Sequence, residues 1–169
     1  SNFPVSYSEL NNILKNYLKL TQTKEKYNEL KEDNHYNLKR RKSRRFFIGP
    51  SSISLEMNNI VSLKSDNATK ENINFPYTVT EKADGIRKLL YVAPNQRMYL
   101  IDINLEIEFT GLICNNKEYI NTIIDGEHVM YDKHGKFINK YLCFDIYWTG
   151  DEDVRVFPFI QMENMKYDA

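Results

Sequence analysis

The residues best suited to covalent chemistry lie in one short stretch, Thr80–Arg87, which reads Thr-Glu-Lys-Ala-Asp-Gly-Ile-Arg. Lys82 lies between two predicted strands, so its amine is expected in a tight turn near the mouth of a sheet. A lysine amine is a nucleophile in its neutral form, which partial burial and nearby positive charge favour. Gly85 allows the chain to fold back close to a ligand, and Arg87 is able to donate to sugar or phosphate oxygens.

Two later segments supply polar and aromatic groups for the same predicted pocket. Asp125-Gly126-Glu127 is predicted to join two apolar strands, which leaves Glu127 to accept from ribose hydroxyls. Phe144 offers a flat face to a purine, where stacking is worth roughly 1–3 kcal/mol. Asp145 ends an apolar strand and is an oxygen ligand for the magnesium that neutralises a triphosphate. The plainer alternatives are that Glu127 and Asp145 are solvated strand ends and that Phe144 is a core aromatic.

The segment Lys82–Arg87 resembles the KxDGxR signature of the covalent nucleotidyltransferases, which include mRNA capping guanylyltransferases and ATP-dependent DNA and RNA ligases. Asp125-Gly126-Glu127 is similar to the third motif of that superfamily, and Tyr141–Asp145 to the aromatic strand that follows it. The wider sequence, with Phe47–Pro50 upstream, is most similar to capping enzymes of large cytoplasmic DNA viruses. The resemblance covers roughly residues 46 to 159, and three motifs in order are far more specific than one.

The resemblance implies transfer of GMP from GTP, through a covalent lysyl-GMP at Lys82, to the 5′-diphosphate end of nascent RNA. It implies Mg²⁺ or Mn²⁺ as the cofactor, with Asp145 near the metal ion. It also implies a set of nucleotide-binding residues: Glu81, Asp84, Gly85, Arg87, Glu127 and Phe144.

Two other functions remain open at this level. The adenylation domain of a polynucleotide ligase has the same chemistry with ATP or NAD, and a catalytically silent module would use an incomplete pocket to bind RNA or to act as a scaffold. The superfamily's later Glu-Gly and Lys-x-Lys motifs and its OB-fold are absent before Ala169. We therefore expect a truncated piece with impaired activity alone. Ile103 also stands where relatives often carry an Arg that contacts phosphate.

The elements that must position these residues indicate an α+β fold with antiparallel sheets around a nucleotide pocket. Ser6 and Glu9 form a predicted capping box, and apolar residues at helical spacing follow it: Leu10, Ile13, Leu14, Tyr17 and Leu18. Turns are predicted at Pro94–Gln96 and Asp132–Gly135. The predicted strands are Phe75–Thr80, Arg87–Ala93, Arg97–Asp102, Thr122–Ile124, Glu127–Tyr131 and Phe137–Trp148. His128 is interpreted as an ordinary strand residue and His134 as a turn residue.

A change of character at the Gly49-Pro50 turn suggests two parts, a helical and basic segment over residues 1–45 and the first part of a guanylyltransferase domain over residues 46–169. The first part is consistent with the end of an RNA triphosphatase domain, and a methyltransferase domain or subunit is a further expected partner. Its basic run is interpreted as a solvated linker, a remnant of that domain, or an RNA contact attracted by phosphate charge. The candidate RNA-binding residues are Lys39, Arg40, Arg41, Arg44 and Arg45.

The composition limits the remaining classes of protein. The 169 residues include 23 Lys and Arg and 23 Asp and Glu, so the net charge neither favours nor excludes a polyanionic partner. No apolar run is long enough to cross a bilayer. Cys114 and Cys143 lack CxxC spacing and are interpreted as buried thiols, which fits a reducing compartment such as the host cytoplasm, or a virion for a viral protein.

Overall fold

A computed structural model describes residues 4–23, 46–50, 54–66, 72–75, 78–79 and 81–159 of the chain. The chain divides into two compact units. One combines residues 1–49 with residues 83–158, and the other combines residues 50–82 with residues 159–169. The basic run Lys39–Arg45 lies outside the described residues.

Helix α1 spans Tyr7–Thr21 and begins where the capping pattern predicts. The Ser6 hydroxyl accepts a hydrogen bond from the backbone N–H of Glu9 at 3.1 Å, which satisfies one of the donors that every helix N-terminus leaves unpaired. The Glu9 carboxylate, which was predicted to complete the capping box, instead accepts hydrogen bonds from Arg97 at 2.7 Å and from Tyr99 at 2.6 Å. Glu9 therefore joins the helix to the sheet.

The described strands form one six-stranded antiparallel sheet in the order β3-β2-β1-β4-β5-β6. The strands are β1 (Ile86–Val92), β2 (Arg97–Asp102), β3 (Ile107–Ile113), β4 (Ile123–Tyr131), β5 (Phe137–Thr149) and β6 (Glu152–Asp153). The antiparallel sheet and the single described α-helix confirm the predicted helix and the antiparallel pairing. Both predicted hairpin turns are present as well, with Gly135 at φ 77° in the second.

Two predictions about these strands are wrong, and one of the longer strands was not predicted. Thr122–Ile124 and Glu127–Tyr131 are not separate strands, because Asp125-Gly126-Glu127 lies inside the continuous strand β4. Asp145 does not end its strand, since β5 continues to Thr149. Strand β3 was missed, although Ile107-Glu108-Phe109-Thr110 alternates apolar and polar residues in the way that indicates a half-buried strand.

The core of the first unit lies between α1 and one face of the sheet. Its buried side chains come from the helix and from strands β1, β2, β4 and β5: Ile13, Leu14, Tyr17, Leu18, Leu89, Tyr91, Tyr99, Ile101, Ile123, Tyr147 and Trp148. Four of the five apolar helix positions predicted from the spacing are among them. The helix thus shares its core with the sheet, while the origin of residues 1–45 in a preceding domain stays a prediction.

The second unit contains a short 3₁₀-helix, Met57–Asn59, and a buried Asn72. The Asn72 amide donates to the Val61 carbonyl at 2.9 Å. The predicted strand Phe75–Thr80 falls here, and its described residues, Phe75, Thr78 and Val79, are not in a strand; its other residues lie outside the described ranges.

Neither cysteine is a buried thiol, so that prediction is wrong. Cys114 is partly exposed and Cys143 is exposed. Cys143 lies on β5, whose side chains are mostly solvent-accessible at this position. Within the described ranges, no helix has the length and apolar character that crossing a membrane requires.

Candidate functional site

The pairing of β1 with β4 brings two predicted nucleotide-binding residues together. Arg87 is the direct antiparallel partner of Glu127, and Ile86 is the partner of His128. Residues directly opposite each other in an antiparallel pair have Cβ atoms roughly 4.5–5.5 Å apart. The arginine of the first motif and the glutamate of the third therefore form one polar pair at the start of β1.

Gly85 holds the first motif against β4. A Cβ atom at this position would lie 2.6 Å from the His128 carbonyl oxygen and 2.9 Å from Glu127 Cγ. Real Cβ atoms do not approach backbone oxygens so closely, and a larger residue would push the turn away from the strand. The glycine thus keeps the start of β1 close to β4, and the preceding Asp84 is exposed.

Glu81 and Lys82 precede this turn and are exposed. They belong to the compact unit of residues 50–82, whereas the chain from Ala83 onward belongs to the sheet unit. Their roles as nucleotide contact and nucleophile rest on their positions in the motif and stay predictions.

Arg87 is held by a buried carboxylate that the sequence did not connect to it. Its Nε donates to Asp125 Oδ1 at 3.0 Å and its Nη2 to Asp125 Oδ2 at 2.6 Å, a two-point ion pair. Asp125 is 1% exposed, while the Arg87 side chain keeps 31% of its surface exposed. Hydrogen bonding to Asp125 raises the pKa of Arg87, so the guanidinium is a permanent, oriented cation.

Tyr147 completes this ion pair. Its hydroxyl accepts from Arg87 Nη2 at 3.0 Å and donates a hydrogen bond to Asp125 Oδ2. Burial, followed by the hydrogen bond to Asp125, raises the pKa of Tyr147, and the phenol stays protonated. Tyr147 was absent from the predicted site, because its position follows from an irregular strand register that the sequence pattern does not indicate.

Phe144 and Asp145 lie beside β4 on the irregular strand β5. Asp145 is the partner of Asp125, and the next pair is Gly126 with Cys143, so Phe144 has no partner across the strands and forms a bulge. Bulges re-aim side chains and are common beside active sites. Phe144 and Asp145 are both half-buried, a position that suits a contact with a ligand as well as a packing role.

The carboxylates near the site do not form a dedicated metal cage. Among the described residues there is no group of three or more His, Cys, Asp or Glu side chains that could hold a metal ion. Asp145 accepts a hydrogen bond from the backbone N–H of Ile146 at 2.8 Å, which uses one of its several acceptor positions. Asp125 is neutralised by its ion pair with Arg87.

Comparison with known proteins gives two matches. Residues 14–165 match the family described as "mRNA capping enzyme, catalytic domain". A relative from Acanthamoeba polyphaga mimivirus, named "Probable mRNA-capping enzyme", is 33% identical over 105 residues. That alignment covers 60% of this chain and 8% of the relative, so the chain spans a small part of the viral protein's length. The viral source of the relative agrees with the resemblance to capping enzymes of large cytoplasmic DNA viruses.

Proposed function

The chain belongs to the mRNA capping enzyme family, and on this premise we propose that it carries the nucleophile half of a guanylyltransferase site. The lone pair of the Lys82 amine attacks the α-phosphorus of GTP, a P–N bond forms, and the α–β P–O bond breaks to release pyrophosphate. A terminal oxygen of the 5′-diphosphate RNA then attacks the same phosphorus. The P–N bond breaks, the cap is formed, and Lys82 leaves with a proton.

The pairing of Arg87 with Glu127 beside the Gly85 turn is the observation that carries this proposal. Charge-assisted donors and acceptors on neighbouring strands suit the hydroxyls of a ribose, with the arginine donating and the glutamate accepting. Glu81 and Asp84 flank the nucleophile, and Phe144 provides an aromatic face for the base.

A divalent cation fits the donor set of this site. Mg²⁺ is usually bound by one or two carboxylates together with substrate phosphates and water, rather than by an all-protein cage. Asp145 would hold Mg²⁺ or Mn²⁺, and the cation would neutralise the triphosphate charge that repels the site's carboxylates.

The RNA substrate and the partner activities are also part of this proposal. Nascent RNA is the second substrate, and the basic run of Lys39, Arg40, Arg41, Arg44 and Arg45 is a candidate contact for its phosphates. Triphosphatase and methyltransferase activities would supply and consume the 5′ ends, in a cytoplasmic or virion setting.

Covalent labelling tests the proposal directly. The chain, and the longest natural protein that contains it, are incubated with Mg²⁺ and GTP or ATP, and intact mass is measured. We expect the longer protein to gain the mass of one GMP, and Lys82→Ala to gain nothing. Lys133→Ala is the matched control, because Lys133 is an exposed lysine in the β4–β5 turn, and its adduct should be unchanged.

The alternative outcomes separate the other functions. An AMP adduct in place of GMP would assign a ligase. The absence of any adduct from the longer protein would leave the RNA-binding or scaffolding module. Acid treatment provides a second check, because a phosphoramidate is acid-labile and the added mass should disappear.

A further inference from the structure

We propose that Tyr147 is a positioning residue for sugar recognition, which together with Asp125, Phe47 and Gly49 fixes the plane of the Arg87 guanidinium. This inference rests on the proposed function, in which Arg87 binds the ribose of GTP. Tyr147 itself has no contact with the nucleotide in this arrangement, and it acts through Arg87.

Three hydrogen bonds restrain Arg87 on one side. Asp125 binds Nε and Nη2 through both of its oxygens. Two parallel bonds align the guanidinium with the carboxylate, but the carboxylate can itself turn about its own side-chain bond. The Tyr147 hydroxyl bonds to both Arg87 Nη2 and Asp125 Oδ2. These bonds prevent rotation of the Asp125 carboxylate. Tyr147 is 3% exposed, and water therefore competes little with these bonds.

The segment before the Gly49-Pro50 turn restrains the same guanidinium from another direction. Its carbon Cζ lies 5.6 Å from the centre of the Phe47 ring, within the range of a cation–π contact. A Cβ atom on Gly49 would lie 2.6 Å from Arg87 Nη2. Only a residue without a side chain allows the backbone to pass this close to the arginine.

Helix α1 holds this segment in place. The Tyr17 hydroxyl donates to the Phe46 carbonyl at 3.0 Å and accepts from the Ile48 backbone N–H at 3.3 Å. Tyr17 is fully buried in the helix–sheet core. A continuous set of contacts thus runs from the helix to Arg87, and the guanidinium is ordered before any ligand binds.

Pre-ordering matters because a mobile arginine must lose rotamer freedom when the ligand binds. The exposed part of Arg87 lies on the strand beside Glu127, where a sugar with two hydroxyls can bind to both residues. Loss of the Tyr147 hydroxyl should therefore weaken GTP binding more than it slows the chemical step, and only for nucleotides that carry the recognised hydroxyl.

The test measures formation of the covalent nucleotide as a function of nucleotide concentration in the longest natural protein that contains the chain. GTP, 2′-deoxy-GTP and 3′-deoxy-GTP are compared for the wild type and for Tyr147→Phe. We expect the half-saturating GTP concentration to rise roughly threefold to tenfold, which corresponds to the net contribution of one ordinary hydrogen bond. The maximal rate at saturation should change less, and at least one deoxy analogue should show no shift.

Two further variants keep the outcome interpretable. Tyr91→Phe is the matched control, because it also removes a buried hydroxyl, one bonded to Asn121 at 3.2 Å, and it should leave GTP saturation unchanged. Gly49→Ala crowds Arg87 Nη2 and the Phe47 ring, and it should reproduce the effect of Tyr147→Phe. If Tyr147→Phe fails to fold, Gly49→Ala decides the question by the same criterion.

The possible failures are distinguishable. A wild type that forms no GMP adduct removes the proposed function, and this inference with it. A wild type that is labelled while Tyr147→Phe shows unchanged GTP saturation leaves the function intact and overturns the positioning role. An equal shift for GTP and both deoxy analogues overturns it as well, because a general structural defect does not distinguish one sugar hydroxyl.

Discussion

At the scale of single residues, the two glycines Gly85 and Gly135 are required for different physical reasons. Gly85 is needed for space, since a Cβ would lie 2.6 Å from the His128 carbonyl oxygen. Gly135 has open space around it but a φ of 77°, which disfavours most L-residues and is tolerated by Asn.

This difference predicts that the same substitution lowers the stability of the protein at one glycine and leaves it almost unchanged at the other. Gly85→Asn should destabilise the protein by roughly 1–3 kcal/mol, the usual cost of forcing atoms into a packed site. Gly135→Asn should change the free energy of unfolding by less than about 0.5 kcal/mol. Urea denaturation of both variants measures the effects. Equal losses of stability would show that crowding against β4 is not what the first glycine avoids.

The sequence was sufficient to identify the motif residues, but it did not indicate which side chains contact one another. The sequence predicted Lys82 in a turn between two strands, but the described residues of the strand predicted before it are not in a strand, and only β1 follows. The nucleotide site stays a prediction. The ion pair of Arg87 with Asp125 joins residues 38 positions apart, and it depends on a strand register that no local pattern specifies. Asp125 was considered only as a neighbour of Glu127, and Tyr147 was not considered.

At the scale of elements, Glu9 links α1 to β2 and should make that contact sensitive to pH. The hydrogen bond from Tyr99, together with the charge and hydrogen bond of Arg97, lowers the pKa of Glu9 below its usual value of 4.5. A lowered pKa in the folded protein means that the ionised carboxylate stabilises the fold. That stabilisation is fully present above about pH 4.5 and is lost as the pH falls through the lowered value.

Glu9→Gln should therefore make the Tm of the protein less dependent on pH in the acid range. The wild type should have the higher Tm at pH 7, and the difference should shrink as the pH falls from 5 to 3. Thermal unfolding followed by circular dichroism at several pH values measures this difference. Glu152→Gln is the control, because Glu152 is an exposed carboxylate in the short edge strand β6. A constant difference in Tm across the range would contradict the role of the Glu9 charge.

The elements were predicted where a simple period or a clear turn was recognised, whereas β3 was missed despite its alternating residues. Helix α1 followed from its cap and its apolar spacing, and β1 and β2 from β-branched and aromatic runs around Pro94–Gln96. Strand β4 was divided in error, because Asp125-Gly126-Glu127 looks like a turn in sequence. Tyr141 explains why it is not one. It covers Gly126, where a Cβ would lie 2.6 Å from Tyr141 Cζ, and its hydroxyl bonds to the Lys88 and Ile124 carbonyls at 2.7 and 2.9 Å.

At the scale of the whole molecule, the segment that contains the family motifs and the segments that form the hydrophobic core begin at different residues. The motif resemblance begins near residue 46, and the sequence therefore suggested a division between residues 45 and 46. The family match begins earlier, at residue 14, within α1. The helix supplies Tyr17 to the core, and Tyr17 in turn holds the segment that packs on Arg87. Composition and turn signals do not reveal such a contact, since it is made between distant parts of the chain.

The shared core predicts that the sheet cannot be separated from the helix. Removal of residues 1–45 would uncover the sheet face that Ile13, Leu14, Tyr17 and Leu18 now bury. Burial of a large apolar side chain is worth about 1.5–3 kcal/mol, so the four together contribute roughly 6–12 kcal/mol, comparable with the whole stability of a typical domain. We expect the shortened protein to show no cooperative unfolding in urea.

Point variants of the helix provide the matched comparison for this deletion. Leu18→Ala, at a position that is 3% exposed, should lower the free energy of unfolding by about 2–5 kcal/mol. Tyr7→Ala, at a position that is 73% exposed, should change it by less than about 0.5 kcal/mol. If the protein without residues 1–45 instead unfolds cooperatively, with a urea dependence that matches its smaller size, the sheet has an independent core. The boundary between residues 45 and 46 would then stand, and the helix would belong with whatever precedes it.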